Sequence, residues 1–145
     1  MSSATWTFCQ EKSDIILREG LELLRRAQSA PRPAPKAQGN YLISMSDDLF
    51  YVGEAKNLNV RLKQQFSPRT STFYKNYLGL KKTVPTERLA EISTFEARWI
   101  QTALGRKEIE EFGIVNLPAT LNRFQLGKRA LCLAAVISGS ALEIP

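Results

Sequence analysis

The stretch GNYLISMSDDLFYVGEAKNL, residues 39–58, holds two short apolar runs joined by a polar Ser-Asp-Asp turn. NYLISM and LFYVG are rich in the β-branched and aromatic side chains that suit a half-buried pleated surface. They predict two strands of a hairpin that turns at residues 46–48. Each run carries a tyrosine, Tyr41 and Tyr51. Packing explains most strand tyrosines, so any chemical role for these hydroxyls depends on what the rest of the chain brings to them.

Downstream, Asn57 is placed to cap a helix, because its side-chain oxygen accepts from exposed N–H groups. Leu58, Leu62 and Phe66 recur at i, i+4, i+8 and are expected to face the core, with Arg61 and Gln65 one turn apart on an adjoining face. SPRTS breaks that helix, and Phe73, Tyr77 and Leu80 mark a second short one. TVPTERL reads as a loop. AEISTFEARWIQT alternates, with Ile92, Thr94, Glu96, Arg98 and Ile100 on one face and Phe95, Ala97 and Trp99 on the other, and predicts a third strand. RKEIEEFGIVNL predicts a helix with an acidic start, Ile109, Phe112 and Val115 inward, and Pro118 at its end. GKRALCLAAVIS is expected to pack on the sheet as a last helix.

Upstream, residues 13–28 predict a helix with Ile16, Gly20, Leu23 and Ala27 on one face and Leu24 beside it. The prolines of SAPRPAPKAQG end it and stiffen the segment leading to the hairpin. Residues 1–38 therefore read as a helical arm and Pro-rich linker, and residues 39–145 as the compact domain. The expected fold is α/β: a small three-stranded, mostly antiparallel sheet flanked by helices, with an N-terminal helical arm.

A length of 145 residues suits one domain, and 43% apolar residues suffice for one core. The two cysteines, Cys9 and Cys132, stand far apart in no metal-ligand spacing, which points to a reducing setting rather than a disulfide framework. The chain has no histidine, which excludes Ser-His-Asp triads, Cys-His dyads and histidine metal ligands together. Acid–base work falls to Tyr, Glu, Asp, Lys or water. No signal peptide is evident, and the most apolar segment, residues 130–137, is far below the roughly 20 residues that span a bilayer. A soluble protein, cytoplasmic or nucleoid-associated and not secreted, is expected, with no membrane partner. Net charge is +6, and eight basic residues against Glu87 alone give +7 over residues 56–88. A basic segment with interleaved aromatics, as in FYKNYLGLKK, suits a phosphate backbone.

The same residues, taken in order, resemble the signature of the GIY-YIG nuclease superfamily. Its two triplets read here as Gly39-Asn40-Tyr41 and Tyr51-Val52-Gly53, ten residues apart from tyrosine to tyrosine. AKNLNVRLKQQF sets Arg61 ten residues after Tyr51, and EEFGIVNLPATLN sets Glu110, Ile114 and Asn122 in the family's Glu-x-x-x-Ile…Asn pattern. The resemblance covers about residues 39–122. Three positions depart from it. Asn40 stands where an apolar residue is usual, Glu54 where a lysine or small residue is frequent, and Gln65 where His or Tyr is frequent. A glutamine bonds water or phosphate but shuttles no proton, and Glu54 would repel phosphate unless it pairs with a base such as Lys56.

What the resemblance implies is a DNA endonuclease dependent on a divalent metal, Mg²⁺ with Mn²⁺ as substitute. Glu110 is the implied metal ligand, an oxygen donor of the kind Mg²⁺ prefers. Glu108 and Glu111 are the fallbacks in that acidic triplet. Arg61 is the implied stabiliser of phosphoryl charge. Tyr41 or Tyr51 is the implied general base or orienter of water, which of the two being open. Lys56, Lys63, Gln65, Arg69, Lys75 and Asn122 are the expected nucleic-acid contacts, Asn122 alternatively as a brace for the Glu110 helix. The expected partner is duplex or branched DNA, with a homodimer one way to read a short palindrome. The rival expectation is a domain of the same kind that binds nucleic acid without cutting it.

Overall fold

Alternation along the central strand sorts the core into two layers. β1 (Gly39–Ser46) lies between β2 (Leu49–Ala55) and β3 (Glu96–Gln101), and both neighbours run antiparallel to it. The structure, a computed structural model, describes residues 2–27, 33–46, 49–67, 71–118 and 120–123. Tyr41, Ile43 and Met45 of β1 share one layer with Leu49 and Tyr51 of β2 and with Ala97 and Trp99 of β3. α2 (Leu58–Gln65) and α3 (Thr72–Lys81) cover that layer with Leu58, Leu62, Phe73, Tyr77 and Leu80. Leu42, Phe50, Val52 and Ile100 form the other layer, under α1 (Ser3–Arg26) and α4 (Arg106–Asn116). The fold is therefore α/β, a three-stranded antiparallel sheet flanked by helices with an N-terminal helix in front.

Local chemistry sets the boundaries. Asn57 accepts from the Val60 N–H at 3.2 Å and starts α2, as its position predicts. Ser71 does the same for α3 through the Tyr74 N–H at 2.9 Å. Gly39 opens β1 at a point where a Cβ would lie 2.0 Å from the Ile100 carbonyl oxygen of β3, so only glycine lets the two strands approach there.

Several expectations change. α1 begins at Ser3, ten residues before the expected start, because Ser2 caps it by accepting from the Thr5 N–H. Its buried stripe is Leu21 and Leu24, with Leu17 and Gly20 half-buried, while Ile16 and Leu23 face solvent. The C-terminal half of this helix packs on the sheet with Leu42, Phe50, Val52 and Leu117. Burying Leu21 and Leu24 contributes roughly 1.5–3 kcal/mol each, which ties the expected arm to the domain. Phe66 and Val115, expected in the core, are more than a third exposed, and the buried positions are Gln65 and Gly113. The expected loop is a 3-10 helix over Thr86–Ile92, so β3 starts only at Glu96. The tip of the sheet turn at 47–48, the first part of the proline-rich linker through residue 32, Arg69 and the last apolar segment lie outside the described residues. No helix among the described residues is long and apolar enough to cross a membrane.

Candidate functional site

The two tyrosines leave neighbouring strands on the same face. Tyr41 pairs with Gly53 across the β1–β2 ladder, and its ring lies over that glycine. A Cβ at Gly53 would stand 2.1 Å from Tyr41 Cζ and 2.3 Å from its hydroxyl. The second glycine of the motif is thus the floor on which the first tyrosine rests. The Tyr51 ring sits 6.4 Å from that of Tyr41, offset-stacked at 22°.

Gln65 of α2 closes this arrangement from above. Its Nε2 donates to the Tyr41 hydroxyl at 2.7 Å, and its Oε1 accepts from Ser71 Oγ at 2.8 Å and from the Phe73 N–H at 3.4 Å. It is 5% exposed. Gln65 was expected to touch nucleic acid; a buried amide with these partners holds Tyr41 in place instead.

The outer edge of β2 supplies the second half of the site. Backbone groups point outward at every second residue, and those of Phe50 and Val52 are met. Phe50 bridges to Thr120. Val52 is met by the Asn122 side chain, whose Oδ1 accepts from Val52 N–H at 2.9 Å and whose Nδ2 donates to Val52 O at 2.6 Å. The Glu54 N–H stands close enough to the Glu110 carboxylate on α4 to hold its pKa down. Asn122 was expected as a nucleic-acid contact with bracing as the alternative. The bidentate bond makes it a brace, on β2 rather than on the Glu110 helix. Asn122→Ala should therefore cost about 2 kcal/mol in urea unfolding, two partly buried bonds at about 1 kcal/mol each. A loss below 0.5 kcal/mol, approximately the level of an ordinary surface change, would contradict the brace.

Glu54, the residue the sequence left unexplained, pairs with Arg106 rather than with Lys56. Arg106 Nη1 lies 3.1 Å from Glu54 Oε2, close in charge though not aligned as a hydrogen bond. Asn40 sets this pair. It is fully buried, and its amide donates to Gly53 O at 3.2 Å and to Arg106 O at 2.8 Å, tying the first turn of α4 to the hairpin. In the sequence Asn40 stands only as a departure from the usual apolar residue. A polar residue at an inward strand position, among apolar neighbours, is the signal that marks it.

Arg61, Glu110 and both tyrosines share one electrostatic neighbourhood. The Glu110 carboxyl is pushed up first by burial and then by the nearby Glu54 and Glu111 charges, while the Glu54 N–H and Arg61 pull it down. Burial pushes the Tyr41 phenol well above its ordinary range, and Tyr51 adds to this, against the Gln65 bond and the Arg61 charge. Burial likewise raises Tyr51, and Glu110 adds to it. Arg61 is exposed and makes no ion pair among the described residues. Lys56, Lys63 and Lys75 are exposed as well, free to meet a ligand. Glu108 and Glu111, the alternatives to Glu110, are exposed on α4, and neither contributes to the tyrosine shifts.

The raised phenols carry a stability consequence. In the unfolded chain a tyrosine ionises near pH ~10; in the folded chain Tyr41, Tyr51 and Tyr77 all hold their protons higher. Between those values the unfolded state has lost protons that the native state keeps, so stability falls as pH rises. Melting temperature should hold steady up to about pH 9 and drop above about pH 10, with phenolate absorbance appearing at the melt. Phenolate appearing in the native protein near pH 10 would show that burial does not raise these phenols.

Among the described residues no three Cys, Asp or Glu side chains gather into a ready metal cage. What the site offers a cation is one half-buried carboxylate, Glu110, crowded by two like charges that a cation would relieve. The fold and these groups define a small α/β domain in which an arginine, a carboxylate and two buried phenols share one electrostatic neighbourhood. In comparisons with known proteins, no family model, no curated protein and no solved structure matches the chain.

Proposed function

We propose that the chain is a metal-dependent endonuclease of the GIY-YIG kind, hydrolysing phosphodiester bonds in DNA. The observation that carries the reading is the electrostatic convergence of Tyr41, Tyr51, Arg61 and Glu110, drawn from four different elements. Phosphodiester hydrolysis needs a positioned water, neutralised charge on the phosphoryl oxygens and help for the leaving oxygen. Arg61 brings an always-charged guanidinium to this place, where it grips phosphate oxygens through two N–H groups. The high phenol pKa values keep Tyr41 and Tyr51 neutral at neutral pH, so each acts on the attacking water as a hydrogen-bond partner rather than as a standing phenolate. The Tyr41 hydroxyl accepts from Gln65 and keeps its own proton to donate. Water adds to phosphorus, the ester P–O bond breaks, and the proton given up by the water passes to solvent while the leaving oxygen takes one from it.

The donor set fits a weakly held Mg²⁺. Glu110 would hold it, with waters and substrate phosphate completing the shell, as suits an ion that prefers one or two carboxylates. Bound there, the ion supplies Lewis-acid neutralisation of phosphoryl charge. Glu54, turned to Arg106, is kept from competing with phosphate. Lys56, Lys63 and Lys75 supply phosphate contacts that position DNA without reading its sequence.

The test is nicking of supercoiled plasmid and of duplex, branched and single-stranded substrates with Mg²⁺ or Mn²⁺. Wild type should nick at least one of these, and Glu110→Ala should lose about 10²-fold or more of that rate with its melting temperature held. Gln65 favours one other reading, binding without cutting, since its amide occupies the Tyr41 hydroxyl and relays no proton. Salt-sensitive DNA binding with no nicking on any substrate would establish that reading.

A further inference from the structure

α1 bears a second apolar stripe. Phe8, Ile15, Ile16 and Leu23 are 58, 48, 65 and 58% exposed. With about 3.6 residues per turn, they fall with Lys12 and Glu19 in an arc about 100° wide, facing away from Leu17, Gly20, Leu21 and Leu24. Every residue from 2 to 16 is exposed, so the first half of the helix has no support from the sheet. Helical stability normally comes from packing such a face, and short unsupported helices are marginal in water.

The charges on the stripe differ from those beside it. Asp14 pairs with Arg18, and Glu22 with Arg25 and Arg26, all within the helix. Lys12 and Glu19 make no ion pair among the described residues. Two turns separate them, a rise of about 10 Å, so they cannot meet within one helix. Lys12 lies over the Phe8 ring, on the stripe itself.

We propose that this stripe joins two copies of the chain as an antiparallel helix pair. With a two-fold axis midway between Ile15 and Ile16, residues whose numbers sum to 31 face each other. Lys12 then meets the partner's Glu19, and Glu19 meets the partner's Lys12. Ile15 packs on the partner's Ile16, and Phe8 on the partner's Leu23. The contact is self-complementary, as a two-fold interface must be. A parallel pair would set lysine against lysine and glutamate against glutamate, so the charge pattern itself selects the antiparallel arrangement. The two sheets hang from opposite ends of the pair, on its outer sides. The proposal is independent of the nuclease reading.

Sedimentation of the full chain over a range of concentrations tests it. The mass should rise from 16.3 kDa toward twice that value. Ile16→Glu should hold the chain at monomer mass with helix content retained. Lys12→Glu should raise the dissociation constant by about tenfold, because it sets like charges together twice in each dimer. Lys12→Glu combined with Glu19→Lys should restore it, which no loss of helix structure would do. Monomer mass at every concentration, or a dimer indifferent to Ile16→Glu, or a double swap that does not restore pairing, overturns the proposal.

Discussion

Alanine at Gly53 should destabilise the protein by about 3 kcal/mol, in the upper range of overpacking changes. In most strands the same change helps by about 0.5–1 kcal/mol, because glycine loses the most freedom on folding. Here the sign reverses. The new methyl would sit 2.1 Å from Tyr41 Cζ, and real contacts of that kind do not fall below about 3 Å. The ring has nowhere to go, since Tyr41 is 2% exposed, stacked beside Tyr51 and held at its hydroxyl by Gln65. Denaturant unfolding measures the loss. Truncating the ring in Tyr41→Ala should make the glycine change nearly neutral, giving a large coupling in the double-mutant cycle. A Gly53→Ala protein as stable as wild type would show that Tyr41 does not lie where it is described.

On the nuclease reading proposed above, Arg61→Ala should lower DNA cleavage by about 10³-fold, the scale of removing one preorganised charge from a phosphoryl-transfer site. Arg61→Lys should recover only part of it, because a lysine keeps the charge but not the two-pronged grip. Stability should change by less than about 0.5 kcal/mol, since the side chain is exposed and has no ion-pair partner among the described residues. That contrast with Gly53→Ala separates a chemical defect from a folding one. Multiple-turnover nicking under saturating Mg²⁺ measures it, with melting temperature beside it. An Arg61→Ala protein that cuts at wild-type rate would remove Arg61 from the site.

The hairpin, the two short helices after it and the third strand were legible because their patterns are local. Tyr41, Leu42 and Ile43 alternate, and Leu58 and Leu62 repeat at helical spacing, each without help from distant residues. α1 was harder. It has two apolar stripes, and Ile16 with Leu23 competes with Leu17, Leu21 and Leu24; only the sheet decides which is buried. Phe66 and Gln65 invert for a similar reason. The hydrophobic residue was assigned to the core, but Tyr41 presents a buried hydroxyl, and a polar neighbour satisfies it better than a phenyl ring would. In the site, only the resemblance to the GIY-YIG signature brought Tyr41, Tyr51, Arg61 and Glu110 into view together. The connections that organise them left no such mark. Glu54 to Arg106, Asn40 to Arg106, and Asn122 to Val52 join positions 52 to 70 residues apart, and no periodicity records such pairs.

The fittings along the outer side of β2 reach beyond the site. An unsatisfied strand margin is a template on which a second molecule can extend the sheet, the first step toward amyloid-like aggregation. Thr120 and Asn122 occupy that template at the alternate residues Phe50 and Val52. The asparagine that braces the strand of Tyr51 is therefore also a stopper that keeps this margin from recruiting another chain.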